Sequence, residues 1–383
     1  MDAGYLRDVA DLCLRLLHVV AGIAWIGASF YFIRLDLGLR PPQDTGAAGR
    51  GVAGEYWGVH GGGFYHSQKY RVAPPALPEH LHWFKWEAYT TWLSGFALLV
   101  VLYWTDARAR LIDPSVADLS PWQAVALSAS GLVLAWLAYD AACRFLRDDR
   151  LVGAAVAVLV TLAAFAAGEL FAARAAFLQV GAMLGTIMAA NVFFTIIPAH
   201  WELVRAKQQG REPDPEPGLR AKQRSVHNNY LTLPVVFTML AGHFPLAFGA
   251  GHAWLVLLAI FALVVAIRHF FNRWHVGRRE WWILAAAAVG AVALAVALAP
   301  EDPDAGSVPA DSEAVAIAAQ RCAGCHSGLT APLGVRLVNA DQLRAHAGSI
   351  RAMLQSGAMP PGNVTGLTDA ERAQLVAWAA AHG

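Results

Sequence analysis

The chain has 383 residues, of which 57% are hydrophobic and 15% charged, and its mean hydropathy is +0.42. That balance excludes an ordinary soluble domain and a disordered chain, and the apolar excess lies upstream of Pro300. A formal net charge of +1 argues against a nucleic-acid partner.

Eight apolar segments approach the roughly 20 residues that a bilayer demands. They lie at 9–33, 85–105, 121–143, 151–171, 176–198, 231–248, 252–271 and 280–299. The first begins with acidic Asp2, Asp8 and Asp11 and lacks a small-residue cleavage site, so it reads as a retained span rather than a signal peptide. The pattern predicts an all-α fold: an eight-helix integral membrane bundle over 1–299, in contact with lipid. Lys and Arg concentrate in the odd-numbered connections, including Arg71 in the first, Arg144, Arg147 and Arg150 in the third, and Arg224 in the fifth. The even-numbered ones hold only Arg108, Arg110 and Arg174. The positive-inside bias therefore puts the odd loops in the cytoplasm and both termini outside, in the periplasm of a bacterial inner membrane.

Polar residues inside such a bundle are costly and become functional candidates. His18 in the first segment and His243 in the sixth sit on its outer half by this topology. Facing imidazoles on two helices can hold a b-type haem or another metal centre, each ring fixed through its second nitrogen. The string LRLLHVVAGIAWIGASFYF also resembles the first helix of bacterial membrane protoporphyrinogen oxidases, whose His is associated with haem. Cys13 and Cys143 read as small core residues.

Three stretches meet on the inner side. HGGGFYHSQKYRVAPPALPEHLHWFKWEAY joins a triple Gly, which allows close backbone approach, to His66, Lys69, Arg71 and aromatic rings that can stack on a flat ligand. RSVHNNYLTLP opens the sixth helix, and IRHFFNRWH closes the seventh. Together the last two offer Arg224, His227, Asn228, Asn229, Arg268, His269, Asn272 and His275. Amide and guanidinium groups of this kind read both edges of a purine-dione. His269 and His275 do not share one helical face if the helix runs through both.

Glu301 to Pro309, rich in Pro and Asp, predicts a linker spanning about 300–310. Beyond it, Cys322, Ala323, Gly324, Cys325 and His326 spell CxxCH, the attachment signature of a c-type haem. The thiols bond the porphyrin, His326 takes one axial position on the iron, and Met359 in SGAMPPGN is the natural second ligand. Asp311 to Gln320 predicts a short helix, and Thr368 with Glu371 three residues on opens another. Residues 311–383 thus read as a small periplasmic cytochrome c domain.

YWGVHGGGFYHSQKYRVAPPALPEHLHWFKWEAYTTWLSG, GTIMAANVFFTIIP, RSVHNNYLTLP, IRHFFN and RCAGCH, in this order, resemble the membrane-bound, cytochrome c-linked urate oxidases, or urate hydroxylases. The resemblance covers nearly the whole chain. It implies oxidation of urate to 5-hydroxyisourate in purine catabolism, with electrons leaving through the haem to a periplasmic or membrane acceptor of the respiratory chain rather than to oxygen. With that substrate, Arg71, Arg224, Asn228, Asn229 and Asn272 are the expected binding residues, and His66, His227 and His269 the expected catalytic ones. The rival expectations are a membrane-anchored c-type cytochrome with another donor, such as a quinol, and a transporter with a fused redox sensor.

Overall fold

The structure is a computed structural model that describes residues 3–146, 148–250, 252–299, 308–328, 331–355 and 357–383. Asp2, Arg147 and most of the expected linker, residues 300–307, lie outside the described residues. Helix makes up 73% of the protein. The helices are α1 (Ala3–Gly38), α2 (Trp86–Leu98), α3 (Pro121–Phe145), α4 (Asp149–Leu170), α5 (Ala173–Asn191), α6 (Ile197–Gln208), α7 (Pro215–Ala241), α8 (Ala253–His275) and α9 (Trp281–Ala297). Five C-terminal helices follow: α10 (Asp311–Arg321), α11 (Ala323–His326), α12 (Ala340–Ala345), α13 (Ala347–Gln355) and α14 (Asp369–His382). Single π-helical stretches extend α2 through Leu99–Trp104 and join α5 to α6 through Val192–Ile196.

Among the described residues, five helices are long and apolar enough to cross a membrane: Gly4–Gly38, Pro121–Phe145, Asp149–Leu170, Ala173–Gln208 and Ala253–His275. The other three expected spans fall short by the same measure. Helix α9 has 17 residues, and α7 carries its apolar residues only in its second half. The sixth expected segment, 231–248, needs correction at both ends. Its helix starts at Pro215 and stops at Ala241, before a turn into the short helix Pro245–Phe248.

A second correction concerns the all-α expectation. The first long connection contains an antiparallel hairpin, β1 (Val52–His60) paired with β2 (Gly63–Tyr70). His60 pairs with Gly63, leaving Gly61 and Gly62 as a two-residue turn with φ of 57° and 82°. Both angles are left-handed, which is what a tight turn matched to strand twist requires and what glycine supplies. The triple Gly thus serves as a turn. Arg40 and Glu55 exchange backbone hydrogen bonds of 2.9 Å, which ties the hairpin to the end of α1.

The chain divides into two compact units. Met1–Leu99, Ala182–Val235 and Ala262–Ala288 form the first, and Val100–Gly181, Val236–Phe261 and Val289–Gly383 the second. In the first, α1 packs on α2, and a core of Ala88, Val192, Ile196 and Ile197 is covered by Trp25, Trp83 and Trp201. In the second, buried Ser128 and Gln179 bond each other across α3 and α5 at 2.7 and 2.9 Å, meeting the need of polar groups buried among apolar helices. Helices α10 to α14 enclose their own core around Trp378 and Leu375, and Trp378 Nε1 donates to Asp311 at 2.9 Å. Thr368 and Glu371 cap α14 reciprocally, at 3.2 and 2.9 Å.

Candidate functional site

The first unit gathers polar side chains from α5, α7 and α8. Asn191, the last residue of α5, donates from Nδ2 to Asn228 Oδ1 at 2.9 Å, and Asn228 in turn donates to the Met188 carbonyl at 3.0 Å. One residue on, Asn229 accepts from Arg268 Nε at 2.6 Å. The Arg268 guanidinium lies 3.8 Å from the centroid of the Phe30 ring. Asn191, Arg224, Asn228, Asn229, Arg268 and Asn272 are all buried. Asn229 Nδ2, Arg268 Nη2 and Asn272 Oδ1 are among the buried atoms without a hydrogen-bond partner. Beside this cluster, Tyr230 and His269 share a 2.8 Å hydrogen bond through the phenol and Nδ1. His269 is exposed, and His227 is half-buried on α7. Because α8 runs unbroken through His275, His269 and His275 stand on different faces.

The hairpin residues have a different setting. His66 lies flat on Trp57, with ring centroids 4.0 Å apart, and its Nε2 meets Glu55 Oε2 at 2.8 Å. Glu55 is buried and also accepts from the Gln43 amide at 3.0 Å. The Gln43 N–H, then His66, hold the Glu55 carboxyl below its ordinary pKa, so it stays ionised at neutral pH. Arg71, just beyond β2, is exposed, and its backbone N–H closes on the Gly51 carbonyl at 3.0 Å. Trp83, an expected stacking ring, packs on Trp201 at 4.4 Å instead.

His18 sits in a notch of α2. Its Nδ1 reaches the Thr91 carbonyl at 2.9 Å and Ser94 Oγ at 3.2 Å. A Cβ at Gly95 would come within 2.7 Å of the ring, so glycine is what admits the imidazole. Donation from Nδ1 to a carbonyl fixes the tautomer with its lone pair on Nε2, as in histidines that bind iron or zinc. His243 belongs to the other unit, exposed in the turn after α7. Among the described residues, no three His, Cys, Asp or Glu side chains are grouped to hold a metal ion.

In the C-terminal helices, Cys325 and His326 donate backbone N–H groups to the Cys322 carbonyl at 3.1 and 2.9 Å, winding CxxCH into one turn. His326 Nδ1 donates to the Val335 carbonyl at 2.8 Å, which again leaves the lone pair on Nε2. Burial, then the neighbouring Cys325, push the Cys322 thiol up. The Met359 carbonyl accepts from Arg372 at 3.2 Å, and that guanidinium also holds the Leu354 carbonyl at 2.7 Å. Arg321 forks onto Glu371 at 3.0 to 3.2 Å and reaches the Thr365 carbonyl at 2.8 Å. The paired thiols and the oriented imidazole fit a covalent haem, which Cys322, Cys325 and His326 would hold, with Met359 the candidate second ligand.

A family model described as urate oxidase N-terminal matches residues 4–299. The chain belongs to this family. No curated protein and no solved structure matches it. The urate oxidase N-terminal region takes in every helix of the polar cluster and ends before the CxxCH segment.

Within that region the structure bonds Asn229 to Arg268 and, separately, Asn228 to Asn191, and it buries Arg224 and Asn272 on the same two helices, α7 and α8. It keeps His66 and Arg71 on the hairpin. Sequence reasoning missed Asn191, Phe30 and Glu55, and it did not single out Arg268 among its neighbours. A signal existed for Asn191: it is a lone amide in the apolar string GTIMAANVFF, directly before a π-helical turn, a feature frequent at functional sites.

Proposed function

We propose that the protein is a membrane-bound urate oxidase that converts urate to 5-hydroxyisourate and passes the electrons to its own c-type haem. The observation that carries this reading is the family match over residues 4–299 in a chain that continues into Cys322, Cys325 and His326. The reaction balances as urate plus water giving 5-hydroxyisourate, two protons and two electrons, so no oxygen is consumed at the ring. The covalent haem, when bound, accepts one electron at a time at its iron.

The chain's own residues bind the anion and move protons. The amides and guanidiniums of α7 and α8 suit a flat anion with carbonyl and N–H edges. His269, hydrogen-bonded to Tyr230, has the ring and exposure to relay a proton to solvent, and His227 and His66 are the further acid–base candidates. The electrons have a bilayer of about 30 Å to cross, which calls for a centre between substrate and haem. His18, whose fixed tautomer suits a ligand, is one candidate to hold such a centre, and His243, in the other unit, is a candidate by itself.

The placement of both termini in the periplasm draws support from the second unit. The stretch Pro361–Asn363 packs against the short helix Ala107–Arg110, and α13 against Pro245–Phe248, both in even-numbered connections. The reading is tested by turnover in air with detergent-solubilised holoprotein and an added one-electron acceptor. It expects two acceptors reduced per urate and no peroxide. Peroxide formed in step with urate loss, or an acceptor reduced by quinol but not by urate, rejects it.

A further inference from the structure

Arg268 is a buried cation with no carboxylate to balance it. It is 5% exposed, on a helix apolar enough to cross a membrane, and no ion pair involves it among the described residues. Its partners are the Asn229 amide oxygen at 2.6 Å and the face of Phe30 at 3.8 Å. An amide dipole and a ring quadrupole hold the guanidinium in place, but they do not neutralise it, and an isolated buried charge is retained only where something pairs with it.

The atoms around it are also unfinished. Arg268 Nη2 and Asn229 Nδ2 are buried donors without an acceptor, and Asn272 Oδ1 is a buried acceptor without a donor. Asn272 follows Arg268 by four residues on α8, so the two project from the same helical face. Asn229 is fully buried and Asn272 is 9% exposed. Leaving such groups unmet in a folded protein is costly, which makes three together a site rather than an accident. Two donors, one acceptor and one positive charge complement a planar anion that shows two acceptor atoms and one ring N–H along an edge.

We propose that Arg268, Asn229 and Asn272 form the binding site for a planar heterocyclic monoanion, Arg268 meeting its charge and Phe30 fixing the plane of the guanidinium. Naming that anion urate rests on the function proposed above. The site moves the charge recognition to Arg268, away from the exposed Arg71 of the hairpin.

The test uses full-length, haem-loaded protein in detergent, with urate as the probe in equilibrium dialysis. Arg268→Gln removes the charge. Asn272→Asp puts a carboxylate one turn from Arg268, so it satisfies the guanidinium from inside and repels the anion. Asn272→Asp is the variant expected to fold as well as the parent or better, which guards against an Arg268→Gln protein that does not fold. The expected result is a loss of urate affinity of about 100-fold in each, with Asn272→Asp melting no lower than wild type and dithionite reducing its haem normally. Urate affinity within twofold of wild type in a folded Asn272→Asp protein overturns the site, as does a wild type that binds urate no more tightly than that variant. Wild type that binds urate through this site but is not reduced by it leaves the site standing and rejects the oxidase reading.

Discussion

In the C-terminal helices His326 donates to the Val335 carbonyl and Arg321 forks onto Glu371, whereas in the first unit Arg268, Asn229 and Asn272 each keep a buried polar atom without a partner. On the function proposed above both regions serve a ligand, and they differ in what that ligand must supply. A covalently held haem stays for the life of the protein, so the bonds that orient its ligands can be closed within the chain. A substrate that comes and goes has to bring the missing partners with it. Thr365 Oγ1, just before α14, is also buried without a partner, so such an atom marks a binding position only where, as at Arg268, it lies beside an unbalanced charge.

Substitutions sharpen that contrast, and the largest effect belongs to the thiols. Replacing Cys322 and Cys325 together with Ala is expected to abolish covalent haem and, with it, all urate-dependent reduction, read by haem staining and absorption. Urate binding by the first unit is expected to survive. Next is Asn228→Leu, which takes away the acceptor of Asn191 and the donor to Met188 and is expected to cost about 1–3 kcal/mol, seen as a lower melting temperature in detergent. Gly95→Ala drives a methyl to 2.7 Å from the His18 ring, and overpacking of this kind costs about 1–3 kcal/mol. If His18 is an axial ligand, the same variant also changes any b-type absorption, and a wild-type spectrum removes His18 from that role.

Smaller effects follow at hydrogen bonds nearer solvent. Tyr230→Phe loses one bond to His269 and is expected to cost about 0.5–1.5 kcal/mol while shifting the pH profile of urate oxidation. An unchanged profile rules out the pair as a proton relay. The smallest concerns Glu371. The Thr368 N–H, then Arg321, hold its carboxyl below the ordinary value of 4.5, so the stability it adds is present above that pH and is lost as pH falls through the lower folded value. Glu371→Gln is therefore expected to lower the stability of the C-terminal helices slightly at neutral pH and to flatten the acid limb of their unfolding, followed by the Soret band.

The turn at CxxCH and the Thr368–Glu371 cap were legible because their patterns are local, a few residues apart in one dimension. The buried cluster was legible only in part. Asn228 and Asn229 stood out as a polar pair at the mouth of an apolar run, but Asn191 and Phe30 come from helices distant in sequence, and only packing brings them together. The hairpin was missed although its signal was present. Gly61 and Gly62 between two runs rich in aromatic residues are a two-residue turn signature, overlooked because an inner loop full of His and Arg invited a reading as a ligand site. Helix α7 was misjudged at its start because Pro215 to Gln223 is polar, and a helix can run on through polar residues beyond its apolar part.

The central claim, that urate is the donor and the protein's own haem the acceptor, is tested most directly by anaerobic titration of the oxidised holoprotein with urate, followed by absorption. The account predicts that ferrous c-type bands grow linearly, with each urate delivering two electrons, and that 5-hydroxyisourate appears without oxygen. Haem that dithionite reduces and urate leaves ferric, in protein of full haem content, contradicts it.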